Sequence, residues 1–361
     1  MKNATTIITA IAIVSILGIS LYPHLLLVFA QETTEIWESL PMMPTLRTEV
    51  VAVAVDEKIF VIGGFDRNGK ATDTVEVYDT VNNSWGKVSP MPEKLHHVGA
   101  AAAASNNEIY VVGGYKNGWI ATDSMFIYNT DTDTWDVGPT MPTARGALTV
   151  QVIDDTLYAV GGANKAVLST NESFNIIANT WEAKTDMPTA REHLSSAVVE
   201  GKMYVIGGRV MSMTSNLGTN EAYDPQTDKW ETLEDMPTAR GGLTATAISD
   251  TVFVFGGEQQ FGTFNQNEQY IPYQAEWKSQ MDMPTARHGL GSATVNDRIY
   301  VIGGGAVPGL SVSGLNESYY NANYIPEFSD FASITILLVS FLAAFLGISK
   351  FKIGHKLVFQ S

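Results

Sequence analysis

Five arginines recur at matched places along the chain: Arg47, Arg145, Arg191, Arg240 and Arg287. Each stands ten residues after a tryptophan (Trp37, Trp135, Trp181, Trp230 and Trp277), and the last four each end a verbatim Met-Pro-Thr-Ala-Arg. Guanidiniums gathered in one place would suit a carboxylate or sulfate, which the planar donor fork binds bidentately. A residue present in nearly every repeat equally suits a structural role, holding loop backbone or bridging neighbouring units. His96, His97, His193 and His288 fall one or two places past the arginine position and break the repeat. An imidazole there is a candidate general base or sugar contact; the alternative is a solvated loop residue. Trp119, Phe261, Phe264, Met211 and Met213 lie in the segments that vary between repeats. They are either stacking platforms for a sugar or packing groups on a neighbouring unit.

Other chemistries are excluded or left without support. The chain has no cysteine, which removes disulfides, thiolate metal sites and cysteine nucleophiles together. No Ser/His/Asp signature, zinc spacing or phosphate-binding loop occurs, so no catalytic residue, metal or cofactor is expected. Asp131, Asp133 and Asp228 precede tryptophans at changing spacings and read as turn formers, not calcium ligands. Asn82, Asn171 and Asn316 sit in Asn-x-Ser sequons and are candidate glycan sites in an exported protein. Residues 1–30 and 331–361 hold four lysines and no acidic residue, so 31–330 carries 18 basic against 38 acidic side chains, a net −20. A surface that acidic repels nucleic acid and anionic headgroups at long range.

The elements that must position these residues repeat as well. Gly-Gly pairs fall at 63–64, 113–114, 161–162, 207–208, 256–257 and 303–304, and the tryptophans keep the same period. A fixed period of this length marks a repeat architecture. Within each unit the pattern predicts four short strands. The first is small and apolar (Val50–Val55), the second ends in Gly-Gly ("IFVIGG"), the third carries Glu-x-aromatic ("VEVYD"), and the fourth begins at the tryptophan. A tryptophan follows Tyr78, Tyr128, Phe174, Tyr223 and Tyr270 by seven residues, but Tyr319 has none and position 326 is proline.

The Gly-Gly pairs, the aromatic-to-tryptophan spacing and the repeated "MPTAR" make residues 31–325 resemble the kelch-repeat family. That resemblance implies an all-β propeller with one four-stranded blade per repeat. The sixth unit lacks its tryptophan strand, whereas the chain begins with one, "EIWESLPMMPTLR". Six blades of four are therefore completed if the Trp37 strand joins the last unit and closes the ring non-covalently. Strand alternation then places the arginines and the variable loops on one face, with the five arginines and Leu95 as a broken ring around the mouth. Some members of the family hold ligands there.

The two ends read as segments outside the fold. Two apolar runs after Lys2, Ile7–Leu21 and Leu25–Phe29, with "VFA" before Gln31, predict an export signal cut after Ala30, or else an uncleaved anchor. Residues 331–349 carry no charge and would span about 28 Å as a helix. Lys350, Lys352 and Lys356 behind it predict a cytoplasmic C-terminus and a propeller displayed outside a membrane. "IPEF" at 325–328, ahead of that segment, resembles the archaeal Pro-Glu-Phe sorting signal. The resemblance implies archaeosortase recognition, tail removal and lipid attachment, with an ordinary membrane anchor as the alternative.

The expected function is a non-catalytic, cell-surface binding module that takes a glycan, an anionic small molecule or an envelope protein on its arginine-bearing face. A second reading is an exported isomerase resembling kelch-type mutarotases of acidic sugars, with arginine holding the carboxylate. The copper-radical galactose oxidases of the family need a cross-linked cysteine, which this chain lacks. A structural envelope spacer is the third.

Overall fold

The computed structural model describes residues 35–321, apart from 104–106. The expected export signal and the whole C-terminal apolar segment lie outside the described residues, among which no helix is long and apolar enough to cross a membrane.

Six four-stranded antiparallel sheets follow one another along the chain, occupying 51–87, 99–137, 149–183, 195–232, 244–279 and 291–321, and each is one blade. The first strands of successive blades are neighbours, and the strand Gly291–Val295 returns to lie beside Val51–Val55, so the ring closes. The last blade takes its outer strand from the other end of the chain. Glu35–Ser39 pairs antiparallel with Asn316–Asn321 and sets Trp37 opposite Tyr319. The protein is thus a six-bladed β-propeller clasped by its N-terminal strand, as the strand count predicted.

Alternation explains why these short segments become blades. Strands two and three bury both faces, as in Lys58–Ile62 and Val75–Asp79, because a neighbouring blade covers each side. Buried apolar residues gather into six clusters among the described residues, one at each blade–blade interface. The periodic tryptophans latch these interfaces. Each indole N–H donates to a carbonyl of the preceding blade: Trp37 to Met281, Trp85 to Pro41, Trp135 to Ser89, Trp181 to Pro139, Trp230 to Thr185 and Trp277 to Glu234. A half-buried indole needs such a partner for its one polar group.

The Gly-Gly pairs end the second strands in left-handed conformation, with φ of 64° at Gly63 and 92° at Gly64. A Cβ on Gly64 would lie 2.4 Å from the Thr48 carbonyl oxygen, so only glycine lets the two backbone segments pass. After each pair, the next residue bridges to the one that follows the arginine position, as in Thr48 with Phe65 and Glu192 with Arg209. Three of the variable loops fold as two-stranded hairpins, including Tyr115–Lys116 with Ile120–Ala121. The first strands surround a central cavity of about 410 Å³. Its wall carries hydroxyl pairs, Thr149 with Ser196, Thr244 with Ser292 and Thr246 with Thr294.

Candidate functional site at the channel mouth

The five arginines do not line the mouth. Each is fully buried, at 0% exposure. Each pairs with the glutamate of a Glu-x-aromatic strand: Arg47 with Glu76 (2.9 Å), Arg145 with Glu172 (2.5 Å), Arg191 with Glu221, Arg240 with Glu268, and Arg287 with Glu317 (2.6 Å). The threonine two places earlier donates its hydroxyl to the same carboxylate, as Thr45 does to Glu76 and Thr143 to Glu172. Further guanidinium donors bind strand carbonyls, for example Gly207 and Val205 from Arg191. The expected anion-binding ring is therefore corrected. The arginines are interior fasteners, because each guanidinium is fully buried out of a ligand's reach and already holds a carboxylate and strand carbonyls. Burial lowers the pKa of each guanidinium, and its glutamate raises it again.

The sixth blade position confirms that logic. Where arginine is replaced by Leu95, the partner place on strand three holds Phe126, and both are buried in one apolar cluster. The pair is exchanged as a unit for two hydrophobes.

The mouth itself is built from the next two residues of each link. Glu49, His97, Ala147, His193, Gly242 and Gly289 all stand two places past the arginine position, and all adopt left-handed backbone, with φ between 53° and 65°. They form a circumferential chain of hydrogen bonds. The amide of His97 donates to Glu49, Ala147 to His97, His193 to Ala147, Gly242 to His193 and Gly289 to Gly242. Two of these six places hold glycine, which such backbone favours, and the other four carry alanine, glutamate and histidine at a conformational cost.

Those three side chains converge. Nε2 of His97 lies 2.9 Å from Nε2 of His193 and 3.1 Å from Oε2 of Glu49. Around them, Nδ1 of His97 meets Nδ1 of His96 at 2.6 Å, and Nδ1 of His193 bonds the Glu192 carboxylate. Arg209 binds Glu192 and Glu258, both at 2.8 Å, and its Nη2 reaches Nε2 of His193 at 3.0 Å. His288 stands behind, with its ring nitrogens 3.0 Å and 2.6 Å from the carbonyl oxygens of Gly305 and Gly309. Burial holds His96 neutral, with its pKa lowered to about 4, and together with neighbouring His193 lowers that of His97 well below the usual imidazole range. Burial also raises the pKa of Glu49. Against the same desolvation, His193 and Arg209 pull Glu192 down to about 2.

Of the residues singled out in the sequence, His96, His97, His193 and His288 all join this cluster, and the half-exposed Trp119 caps one side of it. The Trp119 ring lies within 5.0–5.9 Å of those of His96, His97, Tyr115 and Phe65. Phe261, 90% exposed, and Met211 stand out on their loops, while Phe264 and Met213 are partly buried. Asp133 and Asp228 are turn residues whose carboxylates accept from Tyr128 and Tyr223 and from the preceding blade's backbone at Ser89 and Thr185. Asn82 is exposed, as a glycan site requires. Asn171 and Asn316 are corrected as glycan sites. Both are 1% exposed, with their amides turned inward to the Thr185 and Pro41 carbonyls, leaving no room for a sugar.

Glu49, Glu192, Arg209 and Glu258 were not anticipated. Their signal lay in comparing repeats place by place. Two past the arginine position the residues run Glu, His, Ala, His, Gly, Gly, and after Gly-Gly they run Phe, Tyr, Ala, Arg, Glu, Gly.

The sequence signature of the KLHDC2/KLHL20/DRC7 Kelch-repeats domain matches residues 23–208 and 99–304. No curated protein matches the chain.

Proposed function

The chain belongs to the Kelch-repeat family, whose propeller is an interaction scaffold, and from that premise we propose that it is a binding module displayed outside a membrane that seats an envelope protein across its mouth face. The observation that carries this reading is an apolar crown. Trp119, Ile120, Val210, Met211, Phe261, Val307 and Leu310 are exposed large apolar side chains, and all sit on the loops between second and third strands. These are the segments that vary while the scaffold repeats, and variable loops on a rigid frame are where binding surfaces arise. Large apolar and aromatic side chains held out of the core mark protein contact surfaces.

An anionic small molecule or acidic sugar is less well served. The five arginines that would hold it are buried, and the mouth presents three carboxylates around one guanidinium already bound to two of them. Export through the N-terminal apolar segment, anchoring at 331–349 and sorting at Pro326–Phe328 complete the proposal. An intact C-terminal tail on the mature protein, read by mass, would refute the sorting step.

The test compares faces. A photoreactive residue replacing Phe261 on intact cells should give a discrete protein adduct, whereas the same residue at Ile177, exposed in a turn on the opposite face, should give none. Equal labelling from both faces, or none at Phe261 while the purified protein binds a sugar, would overturn the reading.

A further inference from the structure

We propose that Glu49, His97 and His193 form a binding site for a divalent transition ion of the zinc class. The inference rests on the mouth geometry and is independent of any partner on the apolar crown. The three donor atoms all lie within 4.8 Å of one another, and the side chains enter from blades 1, 2 and 4. Two imidazoles and one carboxylate, with no thiolate, are a donor set such ions accept. Metal–nitrogen bonds of about 2.0–2.1 Å in tetrahedral geometry set donor atoms about 3.3 Å apart. The 2.9 Å and 3.1 Å separations from His97 need to open by only a few tenths of an ångström, and the remaining pair, Glu49 with His193, stands within 4.8 Å.

The supporting shell is what separates this group from a chance meeting of polar side chains. In each ligand histidine the far nitrogen is engaged, so the near one is directed to the common point. Nδ1 of His193 is held by the Glu192 carboxylate, and Nδ1 of His97 by Nδ1 of His96, whose own Nε2 is buried. A proton on each Nδ1 leaves both Nε2 lone pairs facing one another and Oε2 of Glu49. Three acceptors turned to one point call for a cation. A carboxylate–histidine–metal arrangement fixes tautomer and ring orientation in this way. Glu192 is itself held by Arg209 through its other oxygen, which makes it a rigid positioning residue.

The ring places the site where an ion can be approached. Ala147, Gly242 and Gly289 fill the other three positions and contribute no ligand atom. A three-residue site therefore keeps a coordination position open toward the mouth. Arg209 is the adverse charge, with Nη2 3.0 Å from Nε2 of His193. A bound ion takes that lone pair, and the guanidinium keeps its two carboxylates, Glu192 and Glu258.

The test uses the full chain, purified in detergent on a tag without histidine and stripped with a chelator. Titrated Co²⁺ should bind at one equivalent with the visible ligand-field bands of a low-coordinate site, and Zn²⁺ should displace it at one equivalent. His97→Ala and His193→Ala should abolish the bands and weaken binding at least a hundredfold. Glu49→Gln should weaken it at least tenfold. Glu192→Gln, which touches no ion, should weaken it by about tenfold to a hundredfold. Glu182→Gln, at an exposed carboxylate on the outer strand of the third blade, should leave it within about twofold. Thermal melts in chelator check that each variant folds; if a histidine variant does not, the two glutamine variants decide. Absence of saturable binding, or binding that persists unchanged in Glu49→Gln and Glu192→Gln, overturns the proposal.

Discussion

Removing one member of a buried arginine–glutamate pair should cost far more than replacing both. Arg240 is fully buried and makes hydrogen bonds to the carbonyls of Gly256 (2.6 Å), Thr238 (2.8 Å) and Val254 (3.3 Å) besides its ion pair with Glu268. In Glu268→Ala the guanidinium keeps those carbonyls but loses its ion-pair partner, and the Thr238 hydroxyl loses its acceptor. Breaking a buried pair from one side costs about 3–5 kcal/mol, and Arg240→Met, which strands the carboxylate instead, should cost about the same. The double variant Arg240→Leu/Glu268→Phe copies the Leu95/Phe126 solution of blade 2 and removes both charges. Its cost should fall to roughly 2 kcal/mol or less, since hydrophobic replacement of a whole buried pair is often neutral. Two single losses of that size against so small a joint loss depart from additivity by at least about 4 kcal/mol. Equilibrium urea unfolding followed by tryptophan fluorescence measures all three variants. Additive losses in the double variant, or single losses below about 1 kcal/mol, would show that the pairs are not the fasteners described above.

The clasp is the second prediction. Trp37→Ala removes the indole bond to Met281 and the ring contacts with Tyr319 and Phe255, and should cost about 2–3 kcal/mol, below the value for a fully buried aromatic because Trp37 is partly exposed. Proteolysis of native protein should then begin at the strand Glu35–Ser39; cleavage elsewhere would argue against a clasp at that seam. Alkaline unfolding should be steep. Burial raises Tyr78 and Tyr204 to about 12, so the unfolded chain releases phenolic protons above about pH 10 that the folded chain retains. The stability they contribute is present below about pH 10 and lost as pH rises towards 12, which phenolate absorbance and thermal melts can follow together. On the acid side, His96 stays neutral down to about pH 4, so the unfolded chain gains a proton from about pH 6.5 downward that the native state refuses. That contribution, present above about pH 6.5, is lost as pH falls towards 4, and His96→Phe should flatten this limb of the Tm profile. Ala147→Gly relieves a left-handed alanine at φ 54° and should raise stability by roughly 1 kcal/mol in the same melts.

What was legible in the sequence is what depends on local period. The Gly-Gly turns repeat six times and the aromatic-to-tryptophan spacing five, and the surplus N-terminal tryptophan strand against a deficit at Tyr319 sufficed to place the closure. The arginine position was visible, but its role was not. Whether a guanidinium turns outward to the mouth or inward to a glutamate about thirty residues on, as Arg191 does to Glu221, is set by burial between blades. The same holds for Asn171 and Asn316, whose sequons say nothing about the side to which the amide turns.

The amino-acid sequence by itself determined the number of blades, their order and the seam, because hydrogen-bonded ladders and turns are decided by neighbours along the chain. Only the tertiary structure decided the mouth. His97 and His193 stand 96 residues apart and touch because ring closure brings the links of blades 2 and 4 to one axis. Glu49, at the start of the ring, meets them there, and the small residues between them at Ala147, Gly242 and Gly289 let the side chains converge.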